Sequence, residues 1–253
     1  MESSSSASLL QNAIGTTISG STQVNVAGCD IIFHGYPAPP AIGLSDLLRP
    51  VSNATHTHEG PVARCDPGTC LKVITQIKQW LNGFDNGPAG YGKSAVAQTI
   101  AEHYATEGRL LGCFFFLRGA GERSHIFGLI PILAHQISFS VPDIKSLLEK
   151  ALQDEPAILG PSVSLAHQFQ KLITEPIHST TSTALPSFGV FSLAKQKIFV
   201  IDALDECNDK AEVAAFIDVL LNAFPGGRYL PFRILLTSRV EEHIQKKFNY
   251  WEA

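Results

Sequence analysis

Residues Gly87-Pro88-Ala89-Gly90-Tyr91-Gly92-Lys93-Ser94 spell the pattern G-x-x-x-x-G-K-[ST]. The pattern needs a glycine-rich backbone that closes its N–H groups around a phosphate chain. It also needs a lysine that reaches the terminal phosphates and a hydroxyl that ligates Mg²⁺. A helix must follow, because its N-terminus is the natural anion site. Ala95-Val96-Ala97-Gln98-Thr99-Ile100-Ala101 reads as that helix. Gly87 through Ala95 are therefore the candidate nucleotide-binding residues, and the chain is constrained to an α/β layer architecture.

The rest of the chain supplies the layers. Leu110–Leu117 and Lys197–Asp202 are compact apolar runs of the kind that form strands buried on both faces. Phe232–Arg239 reads as a third strand. Between them lie helical patterns at about 126–138, 142–154, 163–174 and 211–224, the last stopped by Pro225-Gly226-Gly227. Alternating strands and helices predict a mostly parallel sheet with helices on both faces. Residues 176–194, with their Ser/Thr clusters and Pro186, read as a long surface loop. Upstream, the 3–4 spacing of Leu71, Val73, Ile74, Ile77, Trp80 and Leu81 predicts an amphipathic helix entered through Asp66-Pro67-Gly68-Thr69. Residues 1–45 are Ser/Gly-rich, nearly uncharged and β-prone at 18–26, where a strand or a strand–turn–strand is expected. They form a leader that ends in the stiff Pro37-Ala38-Pro39-Pro40 linker. A helical segment at 46–82 and a nucleotide-binding domain at 83–253 complete the expected organisation.

Composition excludes several classes. A net charge of −4 offers no electrostatic footprint for nucleic acid or an anionic membrane. No apolar run is long enough to span a bilayer. The five cysteines show no paired C-x-x-C spacing and read as free thiols of a reducing, cytoplasmic compartment.

A phosphate loop alone is not a site. Mg²⁺ needs a carboxylate at the C-terminal end of a neighbouring strand, and Asp202 stands there. Asp205 and Glu206 follow on the same loop as candidates to position an attacking water. Arg239, at the end of the next strand, is the candidate that reads the γ-phosphate. Each residue alone has a structural alternative: a helix cap, an acidic turn, a surface cation. Their joint occurrence in order, each at a strand end, favours the chemical reading.

The segment Ile198-Phe199-Val200-Ile201-Asp202-Ala203-Leu204-Asp205-Glu206-Cys207 resembles the extended acidic motif of NACHT domains. Leu235-Leu236-Thr237-Ser238-Arg239 resembles their sensor strand, and Gly112–Gly119 the strand after the phosphate-loop helix. Ala166–Ile173, Arg64–Thr69 and Thr17–Gly28 are similar to the fungal branch of NLR-like, heterokaryon-incompatibility-type signalling NTPases with a nephrocystin-like module. The resemblance implies a P-loop switch that binds ATP or GTP with Mg²⁺ and turns over slowly. Lys93 would hold the terminal phosphates, and Ser94 with Asp202 would organise Mg²⁺. Asp205 or Glu206 would position the water. Protein partners or self-association would carry the output.

The sequence departs from that pattern at several places. Asn82-Gly83-Phe84-Asp85-Asn86 are turn formers where the first, loop-bearing strand is expected, so that strand is poorly represented. A splice or gene-model deletion and a genuine variant are both open readings, and the 176–194 loop is a candidate complementary insertion. Cys70 stands where the branch often has a basic residue, and Val240 where proline is usual. The chain also stops soon after the sensor strand, so a truncated member is expected. A catalytically inactive adaptor or decoy acting through the leader and helical surfaces is the alternative function. A metabolic kinase fits less well, because no second-substrate motif is visible.

Overall fold

A computed structural model of the chain describes residues 22–27, 30–35, 43–58, 64–66, 68–82, 94–183, 196–223 and 232–251. The chain divides into two compact units, residues 1–43 and 44–253. In the first, β1 (Thr22–Ala27) and β2 (Asp30–Gly35) pair antiparallel, with Thr22 opposite Gly35 and Ala27 opposite Asp30. The single-strand form of the expectation at 18–26 is thus met by β1, and its partner β2 lies beyond that range. The Pro37–Pro40 linker lies outside the described residues.

The second unit holds a three-stranded parallel sheet in the order β3 (Leu110–Phe115), β4 (Lys197–Asp202), β5 (Phe232–Leu236). Every residue of β3 and all but the first of β4 are buried, as their unbroken apolar runs predict. Side chains alternate across β4 and build two cores. Phe199 and Ile201 belong to one, with α4 (Leu129–Ser140), α5 (Pro142–Asp154) and α8 (Lys210–Ala223). Ile198 and Val200 belong to the other, with α2 (Leu71–Asn82) and α3 (Ser94–Thr106). Helices thus cover both faces, and the α/β expectation holds. Gly112 on β3 lets α4 approach closely: an added Cβ would lie 3.3 Å from Leu133, Gln136 and Phe199.

Among the described residues the outer edge of β3 is met by a side chain and a loop. The Gln136 amide accepts from Cys113 N–H at 3.0 Å and donates to Cys113 C=O at 2.7 Å. Phe115 N–H donates to Ala54 C=O at 2.8 Å, from the segment that follows α1 (Leu44–Leu48). Side chain and loop together close a row of ladder groups that would otherwise be buried and unpaired.

Two expectations need correction. The loop expected over 176–194 begins as a helix: α6 (Leu165–Phe169) runs through a π turn at Gln170–Thr174 into α7 (Glu175–Thr183). Ile177 is fully buried and anchors that last helix in the core. The hydroxyls that suggested a loop bond back along the helix instead, Ser179 to Glu175 C=O and Thr180 to Ile177 C=O. The remainder, 184–195, lies outside the described residues. The third strand also ends earlier than expected, at Leu236, so Arg239 sits in the following loop. Among the described residues no strand precedes Ser94 in this unit, and residues 83–93 fall outside the description. No helix of the described residues is long and apolar enough to cross a membrane.

Candidate functional site

The C-terminal ends of three parallel strands meet where ligands bind in open α/β sheets. Asp202 is the last residue of β4, paired with Phe115 on β3 and only 2% exposed. Thr237, one residue beyond β5, continues the register that places Ile201 opposite Leu236. Its hydroxyl donates to Asp202 Oδ1 and accepts from Ala203 N–H at 3.0 Å. The Ser94 side chain, at the start of α3, lies near enough to the same carboxylate to lower its pKa. Ser94 opens α3, so the last residue of the phosphate-loop pattern stands at a helix N-terminus near the expected metal carboxylate. Lys93 and Gly87 to Gly92 lie outside the described residues; Ala95 continues α3.

Burial pushes the Asp202 carboxyl above its usual range. The neighbouring Ser94 side chain and the Thr237 hydroxyl oppose that shift, the Glu206 charge adds to it, and Ala203 N–H opposes it again. A carboxylate kept from water is costly when ionised. It is the state that a hard cation would relieve.

Beyond Asp202 the chain turns sharply. Ala203 is left-handed, with φ of 55°, and throws Leu204–Glu206 into a single 3₁₀ turn. Glu206 N–H closes it on Ala203 C=O at 2.8 Å, and Leu204 N–H donates to Thr237 C=O at 3.0 Å. A non-glycine residue in this region is sparsely populated and is held by its surroundings. The turn sends the two adjacent acids to different environments.

Asp205 is buried and already occupied. Its Oδ1 accepts from Arg239 N–H at 2.8 Å, and its Oδ2 lies 3.8 Å from Arg239 Nε. Its carbonyl accepts from Arg118 Nη2 at 2.9 Å. It brackets the tips of β3, β4 and the loop after β5. Glu206 is half-exposed, and its Oε2 accepts from Arg118 N–H at 3.1 Å. It acts electrostatically on both Asp202 and Arg123. Arg239 has its backbone fixed by Asp205 while its side chain is 80% exposed.

The structure thus brings Ser94, Asp202, Asp205, Glu206 and Arg239 to one end of the sheet. It separates Asp205, which holds the loops, from Glu206, which faces outward. Thr237 and Arg118 were missed as members of this group. Thr237 had a signal, since two parallel strands in register place it beside Asp202. Arg118 had none, because its partners are 87 and 88 residues away.

Among the described residues no group of three or more His, Cys, Asp or Glu side chains is placed to hold a metal ion alone. Ser94 and Asp202 do offer two adjacent hard oxygen donors. That set fits Mg²⁺, which completes its shell with water and phosphate oxygens.

Comparison with known proteins agrees with the resemblance to a nephrocystin-like module. The family model described as Nephrocystin 3, N-terminal matches residues 68–239 of the 253. No curated protein and no solved structure matches the chain.

Proposed function

Because the chain belongs to the nephrocystin-3 N-terminal family, we propose that it is a NACHT-type nucleotide-binding signalling switch with slow, Mg²⁺-dependent hydrolysis of ATP or GTP. The nearness of Ser94 to the buried Asp202, whose titration it influences, carries this reading. It joins the end of the phosphate-loop pattern to the buried acid of β4, the pairing that a Mg-nucleotide site requires.

In this reading Lys93 binds the terminal phosphates, and the backbone N–H groups of Gly87 to Ala95, other than the N–H-less Pro88, cradle them. Ser94 and Asp202 hold Mg²⁺, which would neutralise phosphate charge when bound. Glu206 orients the attacking water and accepts its proton, because Asp205 is spent on Arg239 and Ser238. Arg239 reads the γ-phosphate from the loop after β5, where Asp205 anchors its backbone and holds its largely exposed side chain only by a loose ion pair. Protein partners or self-association carry the output.

Calorimetric titration of the folded full chain with Mg-ATP and Mg-GTP tests the proposal. Saturable binding is expected with at least one of them, weakened tenfold or more by Lys93→Ala, a loss of at least about 1.4 kcal/mol. Absence of binding to either nucleotide by a folded chain would overturn it.

A further inference from the structure

Outside the candidate site, the segment after α1 is fastened to both β3 and α3. Ala54 C=O accepts from Phe115 N–H at 2.8 Å, at the end of β3. Two residues on, His56 contacts both elements. Its backbone N–H and its ring Nδ1 lie 3.2 and 3.3 Å from Cys113 Sγ of β3. Its carbonyl accepts from Gln98 Nε2 of α3 at 2.7 Å. The same amide nitrogen donates to Glu102 Oε1, one turn on, at 2.7 Å. Arg64 Nε in turn forks onto both Glu102 oxygens, at 2.8 and 2.9 Å. Gln98 is 2% exposed, so water has little access to its amide.

The thiol decides where the protons lie. Burial pushes Cys113 up to about 12, so it stays uncharged. Its S–H faces Gln136 Oε1 at 3.6 Å, which leaves the sulfur to accept from His56 N–H and from Nδ1–H. That network assigns a neutral His56 ring with its proton on Nδ1. A second proton on Nε2 would place a cation beside a thiol that offers no counter-charge. Burial holds His56 below its ordinary range; Glu102 on α3 opposes that shift, and His58 on the same segment adds to it. The Glu102 carboxylate is already paired, with Arg64 Nη2 2.6 Å from Oε1.

We propose that His56 is a pH-sensitive latch: the neutral ring pins residues 54–58 between β3 and α3, and the protonated ring releases them. Because the folded-state pKa is depressed, the stability linked to the neutral ring is full above the unfolded histidine range. It is lost as pH falls through the folded value. Helix α3 begins at Ser94 and carries Gln98 one turn later, so the latch holds the helix close to its first turn. Any effect of pH on nucleotide affinity rests on the function proposed above; the latch itself does not.

The experiment needs no nucleotide. Two backbone amides report the latch directly, Phe115 N–H on Ala54 C=O and His56 N–H on Cys113 Sγ. Hydrogen exchange of the full chain is followed by NMR from about pH 7.5 to about pH 5.5, across the range in which histidine titrates, and corrected for intrinsic rates. Both amides should lose protection as pH falls, severalfold more than Val200 in the middle of β4. In His56→Gln, which has no titrating ring, that excess should vanish. The wild-type His56 ring, followed in the same titration, should take up its proton below the ordinary histidine value of about 6.5. A ring that titrates at or above that value would overturn the proposal, whether or not the variant folds. Protection of the two amides that does not change with pH, or the same excess in folded His56→Gln, would overturn it as well.

Discussion

Replacing Thr237 by valine keeps the shape of a buried side chain and removes the hydroxyl that holds Asp202. Thr237 is 2% exposed, so water cannot substitute for what is lost. One lost bond is donated to a carboxylate, worth about 1.5–3 kcal/mol. The other is accepted from Ala203 N–H, a neutral bond worth roughly 0.5–1.5 kcal/mol. Ala203 N–H keeps its interaction with Asp202, and the added methyl returns up to about 0.8 kcal/mol of apolar burial. The net cost is therefore about 1–4.5 kcal/mol, a sizeable part of a typical domain's stability but short of unfolding it. Thr237→Ser keeps the hydroxyl and loses one buried methyl, about 1 kcal/mol. Urea denaturation of the three proteins at neutral pH reads the difference. If valine costs no more than serine, the hydroxyl does not support Asp202, and the account of the β4–β5 tip is wrong.

Gln136→Leu strips the partners from Cys113 N–H and C=O on the edge of β3, and should cost roughly 2–4 kcal/mol in urea denaturation. A cost below about 1 kcal/mol would show that the edge is satisfied in another way. Asp202→Asn tests the sign of the buried acid's titration. Because the folded-state pKa is raised, the stability linked to its protonation is full below the unfolded range and is lost as pH rises through the folded value. Without Mg²⁺ the variant should gain on wild type as pH rises from 4 towards 8 (approximate limits set by the carboxylate range). A wild-type advantage that grows over that window would refute the shift.

Much of this fold is legible in the chain because burial on both faces leaves a simple mark. Ile198-Phe199-Val200-Ile201 has no polar interruption, and a central parallel strand is the element that needs none. The amphipathic 3–4 spacing of α2 and the run after Ser94 are equally direct. Helix α7 is hidden because Ser179 and Thr180 have loop-like composition, and only the burial of Ile177 shows why the helix continues. At the site, Asp202 is visible as a strand-terminal acid, whereas Asp205 and Glu206 are interchangeable in the sequence. Their division follows from one left-handed residue, Ala203, and from Arg118, Ser238 and Arg239 reaching in from distant positions. Side-chain closure of the β3 edge by Gln136 is likewise a long-range fact with no local pattern.

The central claim is that Ser94 and Asp202 together hold the metal of a bound nucleotide. Its most direct measurement is the Mg²⁺ dependence of nucleotide affinity in wild type, Ser94→Ala and Asp202→Asn, with each variant shown to be folded. Wild type should bind at least tenfold more tightly with Mg²⁺ than with a chelator present, a gain of about 1.4 kcal/mol or more. Both variants should lose that gain while keeping the weaker metal-free binding. Equal Mg²⁺ dependence in all three proteins would contradict the account.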